Sequence, residues 1–288
     1  LTSYCTSSAG AVPYQRYLAP DAGTLYQYAE SALDRAKILG KNMLVFFSAE
    51  DFEKKLSAIE LQEELQQSVE NDFKGFSLCY QAQITSQNYR LFGAEALLRY
   101  HSEHRGNVSP IEFIPILEQT GLICPVGCWV LKNALEQCKK WREQIPDFHI
   151  SVNISYVQLE KDGCAKRVLD ILEKSGLPGS VLTLEVTESV QLRDYPHLNE
   201  VFAQWKNAGI EISVDDFGTG YSSLSSLKNL EVDEIKIDRC FVRGIQHSAY
   251  NYRLMSNILE WANSSQIRVC CEGVETVEEL TELEKLNP

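Results

Sequence analysis

No stretch of the 288 residues reaches the roughly 18 to 20 continuous apolar positions that a membrane span requires, and no signal-peptide pattern opens the chain. Positive charge is scarce: 27 Lys and Arg face 40 Asp and Glu, a formal net charge of -13. That deficit argues against non-specific binding to nucleic acid or to an anionic membrane, both of which need a basic surface. A phosphate-containing ligand stays compatible where metal ions cancel the carboxylates locally. Histidine is also rare, with five in the chain. His101 and His104 lie in a polar loop and His149 opens a strand-like run, so none is assigned chemistry. Cysteine lacks partners: nine is an odd number, and Cys79, Cys138, Cys240, Cys270 and Cys271 sit within apolar runs. A secreted disulfide framework is therefore not expected, and a reducing, cytoplasmic setting is. Attachment to a membrane through segments outside this sequence stays open. Cys124 and Cys128 have the spacing of half a zinc site, but no second Cys or His pair follows to complete it.

The chain reads as three parts. Residues 1–48 hold a short polar strand or loop, an amphipathic helix with Leu25, Tyr28, Ala29, Ala32, Leu33 and Ala36 on one face, and a strand at 43–48. Gly40 supplies the helix stop. Residues 49–72 lack Pro and Gly, are rich in charge, and carry Phe52, Leu56, Ile59 and Leu65 at helical intervals, which predicts a linker helix. From residue 73 onward, strand-like and helix-like segments alternate. Strands are expected at 76–84, 90–98, 148–154, 181–186, 211–216, 233–238 and 267–273, with helices near 126–144, 162–175, 197–208, 250–265 and from 276. Alternation over this length predicts an α/β fold with a parallel sheet closing as a barrel. Seven strands are countable, and an eighth is expected beyond Pro288, so the sequence reads as a fragment.

What the sequence does hold is a series of acidic motifs, each at the end of an apolar run: Glu95, Asn153, Glu185 with Glu188, Asp215 with Asp216, Lys236, and Glu272 with Glu275. A carboxylate that ends a buried strand is costly to desolvate unless it meets a cation, a donor or water. In a barrel of this kind the C-terminal strand ends share one rim, so dispersed motifs become one cluster. Oxygen ligands without histidine favour Mg2+ or Mn2+ over zinc or copper. Glu95, Asn153, Glu185 and Asp215 supply oxygens for one ion, and Asp216 and Glu272, with Asp215 bridging, for a second. Two ions about 3.5–4 Å apart suit in-line displacement at phosphorus, with Lys236 orienting the water or stabilising charge. The Arg99 fork suits a pair of phosphate oxygens. Gly218 and Gly220, directly after the acidic pair, predict a tight active-site loop.

In this order and at these intervals, GAEALLRY (93–100), SPIEFIPILEQTGLI (109–123), SVNIS (151–155), LEVTES (184–189), VDDFGTGYSSL (214–224), EIKID (234–238) and CEGVET (271–276) resemble the EAL-domain family of cyclic di-GMP phosphodiesterases. The resemblance covers about residues 73–288. It implies a TIM-like barrel with an antiparallel first strand, and hydrolysis of cyclic di-GMP to linear pGpG with two Mg2+ or Mn2+ ions, inhibited by Ca2+. By position it implies Glu95, Asn153, Glu185 and Asp215 around the first ion and Asp215, Asp216 and Glu272 around the second. It further implies Lys236 beside the nucleophilic water, Leu97, Arg99 and Gln81 toward substrate, and Glu188 as anchor of the loop at 216–224. It also implies a homodimer through the EAL domain.

Residues 1–48, with AESALDRAKILGKN followed by MLVFF, resemble the C-terminal end of a GGDEF domain, although the GGDEF signature itself is absent. YQAQ at 80–83 departs from the family's Tyr-Gln-Pro opening, and the family's last strand falls beyond Pro288. The alternatives carried beside the enzyme are a cyclic di-GMP receptor that does not cleave, and a regulatory dimer scaffold.

Overall fold

A computed structural model gives the protein's structure; it describes residues 5–13, 21–187, 195–218 and 231–286. The chain divides into two compact units, Leu1–Gln67 and Ser68–Pro288.

In the first unit, strand β1 (Ala9–Ala11), helix α1 (Ala22–Ile38) and strand β2 (Leu44–Phe46) form a βαβ arrangement with the two strands parallel. Asp21 caps α1 by accepting from Thr24 N at 2.8 Å. A Cβ at Gly10 would lie 2.2 Å from Ala29 O, so the close approach of β1 to α1 admits only glycine there. Tyr28 stacks on Phe47 with centroids 4.1 Å apart. Helix α2 (Ala49–Glu70) is the helix expected from the charged, Gly-free stretch. Leu61 and Leu65 are buried while Leu56 and Ile59 are exposed. Leu61 and Leu65 are four apart and share a face; Leu56 is five from Leu61 and so points elsewhere.

The second unit is built on one sheet whose hydrogen-bonded path starts with β3 (Phe76–Ile84), β4 (Leu91–Ser102) and β6 (His149–Asn153). It continues through β7 (Leu182–Thr187), β8 (Glu211–Phe217), β9 (Glu234–Ile237) and β10 (Arg268–Cys271). A short β5 (Gly106–Val108) pairs with the end of β4. β3 and β4 pair antiparallel, and every later step along the path is parallel. Among the described residues β3 and β10 are the two edges. The helices are α3 (Pro110–Thr120), α4 (Ile123–Arg142), α5 (Tyr156–Leu159), α6 (Cys164–Ser175), α7 (Tyr195–Asn207), α8 (Arg239–Val242), α9 (Ala249–Ser264) and α10 (Val277–Leu286). No single helix among the described residues is long and apolar enough to cross a membrane.

The parallel strands alternate instead of running continuously apolar. One face carries Ile150, Val152, Leu182, Leu184, Val186, Ile212, Val214, Ile235 and Ile237, all buried. The other carries buried polar groups: Glu95, Ser151, Thr183, Glu185, Ser213, Glu234 and Lys236. The sheet curls around this polar face. Lys236 on β9 touches Glu95 on β4 at 2.8 Å, although four strand steps separate them. A flat sheet would put such residues about 19 Å apart at roughly 4.8 Å per strand.

Sequence periodicity missed α3, where Pro115 lies inside the helix and Pro110 at its first turn. Gly121, at φ 74, ends it in the left-handed region.

Candidate functional site

Strand register delivers the acidic side chains to one place. Glu95 aligns with Ser151 on β6, Asn153 with Glu185 on β7, and Thr187 with Asp215 on β8. Glu95 is not at a strand end as its motif predicts, since β4 runs on for several residues to Ser102. Its parallel pairing with β6 ends at Ala96, however, so Glu95 still sits at the end of the parallel ladder. Between β8 and β9 the register skips from Val214–Ile235 to Phe217–Ile237. Asp215 and Asp216 thus both stand opposite the single residue Lys236, a β-bulge in which the Asp215 carboxylate faces the lysine and the Asp216 side chain is exposed. Asp216 occupies φ 55 at this bulge.

Lys236 is the centre of the cluster. Its Nζ lies 2.7 Å from Glu185 Oε2, 2.8 Å from Glu95 Oε2, 2.7 Å from Glu272 Oε1 and 3.4 Å from Asp215 Oδ1. Asn153 Nδ2 donates to Glu95 Oε1 at 2.6 Å. Asp216 N donates to Asp215 Oδ1 at 2.9 Å, while the Asp216 side chain is exposed. Glu272 follows β10 directly and its backbone N donates to Ile237 O at 3.0 Å.

One ammonium cannot neutralise four carboxylates. Burial acts to lower the Lys236 pKa, yet Glu185, Asp215, Glu95 and Glu272 outweigh it and hold the pKa above the ordinary lysine value. Burial drives the Glu185 carboxyl well above its usual range against the pull of Lys236, with Glu95 and Asp215 adding repulsion. Burial raises Glu272 as well. Glu185 Oε1 is buried with no hydrogen-bond partner. Such an oxygen is costly unless a cation or donor meets it. Oxygens of Glu95, Glu185 and Asp215 lie within 4.8 Å of one another. An all-oxygen set with excess negative charge and an orphaned buried oxygen fits a hard divalent cation.

The remaining expected residues lie around this cluster. Gln81 is exposed on β3 and aligns with Glu95 across the antiparallel pair. Leu97 and Arg99 follow Glu95 at two-residue steps on β4, both half-buried, and Arg99 donates to Leu98 O at 2.9 Å. Glu188 and Gly220 lie outside the described residues, as does most of the loop expected at 216–224. Gly218 has φ +95, and a Cβ there would lie 2.7 Å from the Phe241 ring, so the turn after the acidic pair requires glycine. The histidines make local contacts: His101 Nδ1 lies 2.9 Å from Asn107 Oδ1, and His149 Nδ1 2.7 Å from Asp147 O.

Two supporting groups escaped the sequence reading. Glu279 on α10 accepts from Gly244 N at 2.9 Å, Glu275 N at 3.0 Å and Thr276 N at 3.2 Å, tying down the loop that follows Glu272. Ser155 and Gln158 form a capping box at the start of α5, two residues after Asn153, and Ser155 Oγ donates to Glu118 on α3. The S-x-x-Q spacing is a legible signal for the second, and Thr276-x-x-Glu279 is the same signal for the first: Glu279 N donates to Thr276 Oγ1 and Thr276 N to Glu279 Oε2, a capping box at the start of α10.

The family model of the EAL domain matches residues 62–288. The chain is 36% identical over 249 residues to the bifunctional diguanylate cyclase/cyclic di-GMP phosphodiesterase MucR of Pseudomonas aeruginosa, covering 86% of this chain and 36% of that protein. It is 32% identical over 259 residues to the cyclic di-GMP phosphodiesterase PdeR of Escherichia coli, covering 90% of this chain and 39% of that protein. The chain thus spans little more than a third of the length of these curated relatives. Among solved structures, the PaMucR phosphodiesterase in complex with c-di-GMP superposes with a TM-score of 0.73 at 36% identity, covering 79% of this chain and 92% of that one. The protein therefore belongs to the EAL domain family.

Proposed function

We propose that this chain hydrolyses cyclic di-GMP to linear pGpG as a metal-dependent phosphodiesterase of bacterial second-messenger signalling. The observation that carries the reading is the convergence of Glu95, Glu185, Asp215 and Glu272 on Lys236, with the buried Glu185 Oε1 unpartnered. MucR and PdeR, which the chain resembles, are named for the same activity.

Glu95, Asn153, Glu185 and Asp215 would hold one Mg2+ or Mn2+ ion, and Asp215, Asp216 and Glu272 a second. Bound divalent ions supply water activation and screening of phosphoryl charge. The protein's own groups then do the rest. Lys236 offers a donor and a positive charge to orient the attacking water and to stabilise charge developing on the phosphorus oxygens. Asn153 fixes Glu95 by donating to its Oε1. Arg99, Leu97 and Gln81 contact substrate beyond Glu95, and Glu188 anchors the loop after Asp216. One new bond joins water oxygen to phosphorus, one phosphorus–oxygen bond to a sugar breaks, and the sugar oxygen takes up a proton.

The first unit, by the same reading, is the C-terminal end of a GGDEF domain, and the protein is cytoplasmic and forms a homodimer through the EAL domain. The test is incubation with cyclic di-GMP and Mn2+, with and without a chelator, followed by chromatography of the nucleotides. Chelator-sensitive pGpG supports the reading; calorimetric binding of cyclic di-GMP without any product replaces it with a receptor.

A further inference from the structure

The buried charged side chains among the described residues are Glu95, Glu185, Glu234, Lys236 and Glu279. Glu95, Glu185 and Lys236 belong to the acidic cluster, and Glu234 Oε2 lies 3.4 Å from Arg268 Nε. Glu279 differs from these. It lies on α10, outside the sheet, and backbone N–H groups meet its carboxylate. Oε1 accepts from Gly244 N at 2.9 Å, and Oε2 accepts from Glu275 N at 3.0 Å and from Thr276 N at 3.2 Å. A buried carboxylate needs such donors to offset its desolvation, and here they come from two separate loops.

Those loops are the ones that follow Lys236 and Glu272. From Lys236 on β9 the chain passes through α8 to Gly244, at φ 68, which sits between the buried Val242 and Ile245. Glu272 comes directly after the last ladder pair of β10, Cys271 with Ile237. Gly273 then turns the chain at φ 67, where a Cβ would lie 2.3 Å from the Cβ of Arg239, the first residue of α8. From Val274 to Glu278 every residue is exposed, so side-chain burial does not hold this loop. Glu279 holds it, through two of its N–H groups. Glu272 is also the most exposed of the four carboxylates around Lys236, with 30% of its side chain open to solvent against 15% or less for the others.

We propose that Glu279 is a positioning residue for Glu272, fixing the approach of that carboxylate to Lys236 and to the second divalent ion. The proposal rests on the two-ion reading given above. Each oxygen of Glu279 holds a different loop, so one side chain sets the spacing between the segments that carry Lys236 and Glu272. Glutamine in its place keeps one acceptor oxygen and turns an NH2 group toward the other N–H donors, so one loop is released whichever way the amide points. Loss of a group that orients a metal ligand lowers metal affinity about 10–100-fold.

The test is a double-mutant cycle on the full chain, with Glu279→Gln, Glu272→Gln and the pair, read by calorimetry of Mn2+ binding. Glu279→Gln is expected to weaken one of two Mn2+ binding events by about tenfold or more and to leave the other unchanged. Glu272→Gln should weaken the same event, and adding Glu279→Gln to it should change little further. Glu279→Asp, one methylene shorter, is expected to repeat the loss and serves if the glutamine variant does not fold. Thr276→Ala removes the hydroxyl that accepts from Glu279 N and leaves both carboxylate contacts in place, so it should lower Tm while keeping the parent's Mn2+ affinity. Additive losses in the cycle, parental Mn2+ affinity in both Glu279 variants, or an equal loss in Thr276→Ala would each overturn the proposal. Formation of pGpG by the parent decides the phosphodiesterase reading separately, because the cycle needs no turnover.

Discussion

Lys236 Nζ lies 2.7 Å from Glu185 Oε2, both side chains are shut off from solvent, and the other oxygen of Glu185 has no partner. A neutral pair would satisfy itself; this one is a single cation shared among carboxylates from four other strand ends and loops. The stability of the second unit therefore depends on how that charge is balanced.

Replacing the lysine removes the cation that pairs with all four carboxylates of the cluster. Lys236→Met is expected to cost about 3–5 kcal/mol in metal-free buffer, the usual size of breaking a buried ion pair from one side. Urea denaturation measures it. A variant as stable as the parent would mean that the carboxylates are not held by Lys236.

Divalent ions should act in the opposite direction. Ligand binding to the folded state alone adds about 2.7 kcal/mol at a concentration one hundred times Kd. Mn2+ is expected to raise Tm and a chelator to abolish the rise, whereas Glu185→Gln should blunt the response. An equal rise in Glu185→Gln would place the bound ion elsewhere.

Glu279 gives a pH-dependent prediction. Its pKa lies below the ordinary 4.5 because the backbone N–H groups of Gly244 and Glu275, and then Thr276, stabilise the carboxylate. The stabilisation is fully present above the unfolded value and is lost as pH falls through the lower folded value. Glu279→Gln should therefore lower Tm at neutral pH, and the gap to the parent should close in acid. A gap that stays constant with pH would rule out the carboxylate's role.

Ser155→Ala removes the N-cap of α5 and leaves Glu118 without the Ser155 hydroxyl. Loss of such a cap costs about 1 kcal/mol. Chemical denaturation checks the cost, and an unchanged midpoint would show that Gln158 alone holds this turn.

Much of this molecule was legible before folding. Seven of the main sheet's eight described strands match the apolar runs at 76–84 through 267–273, because each run is short, rich in branched residues and bounded by turn-forming or polar stretches; the short β5 matches none of them. Glu95, Glu185, Asp215, Lys236 and Glu272 were singled out because charge at a buried strand position demands a partner. What periodicity could not provide was the partner itself. The bulge that sets Asp215 and Asp216 against Lys236 is a register event between strands, invisible along either one. Which apolar residues of α2 are buried, Leu61 and Leu65 and not Leu56 or Ile59, is not legible because sparse apolar residues on a charged helix fit more than one stripe. The T-x-x-E spacing announces the cap that Thr276 and Glu279 form, but the reach of Glu279 to Gly244 N, 35 residues away, follows no local pattern.

The most direct measurement compares Glu185→Gln with the parent chain at saturating Mn2+, reading cyclic di-GMP turnover by chromatography and cyclic di-GMP affinity by calorimetry on the same samples. The site described here predicts turnover lower by at least about 10²–10³, with affinity reduced by about tenfold or less, a loss near 1.4 kcal/mol. Turnover equal to the parent's would contradict it, because Glu185 would then lie outside the catalytic metal centre.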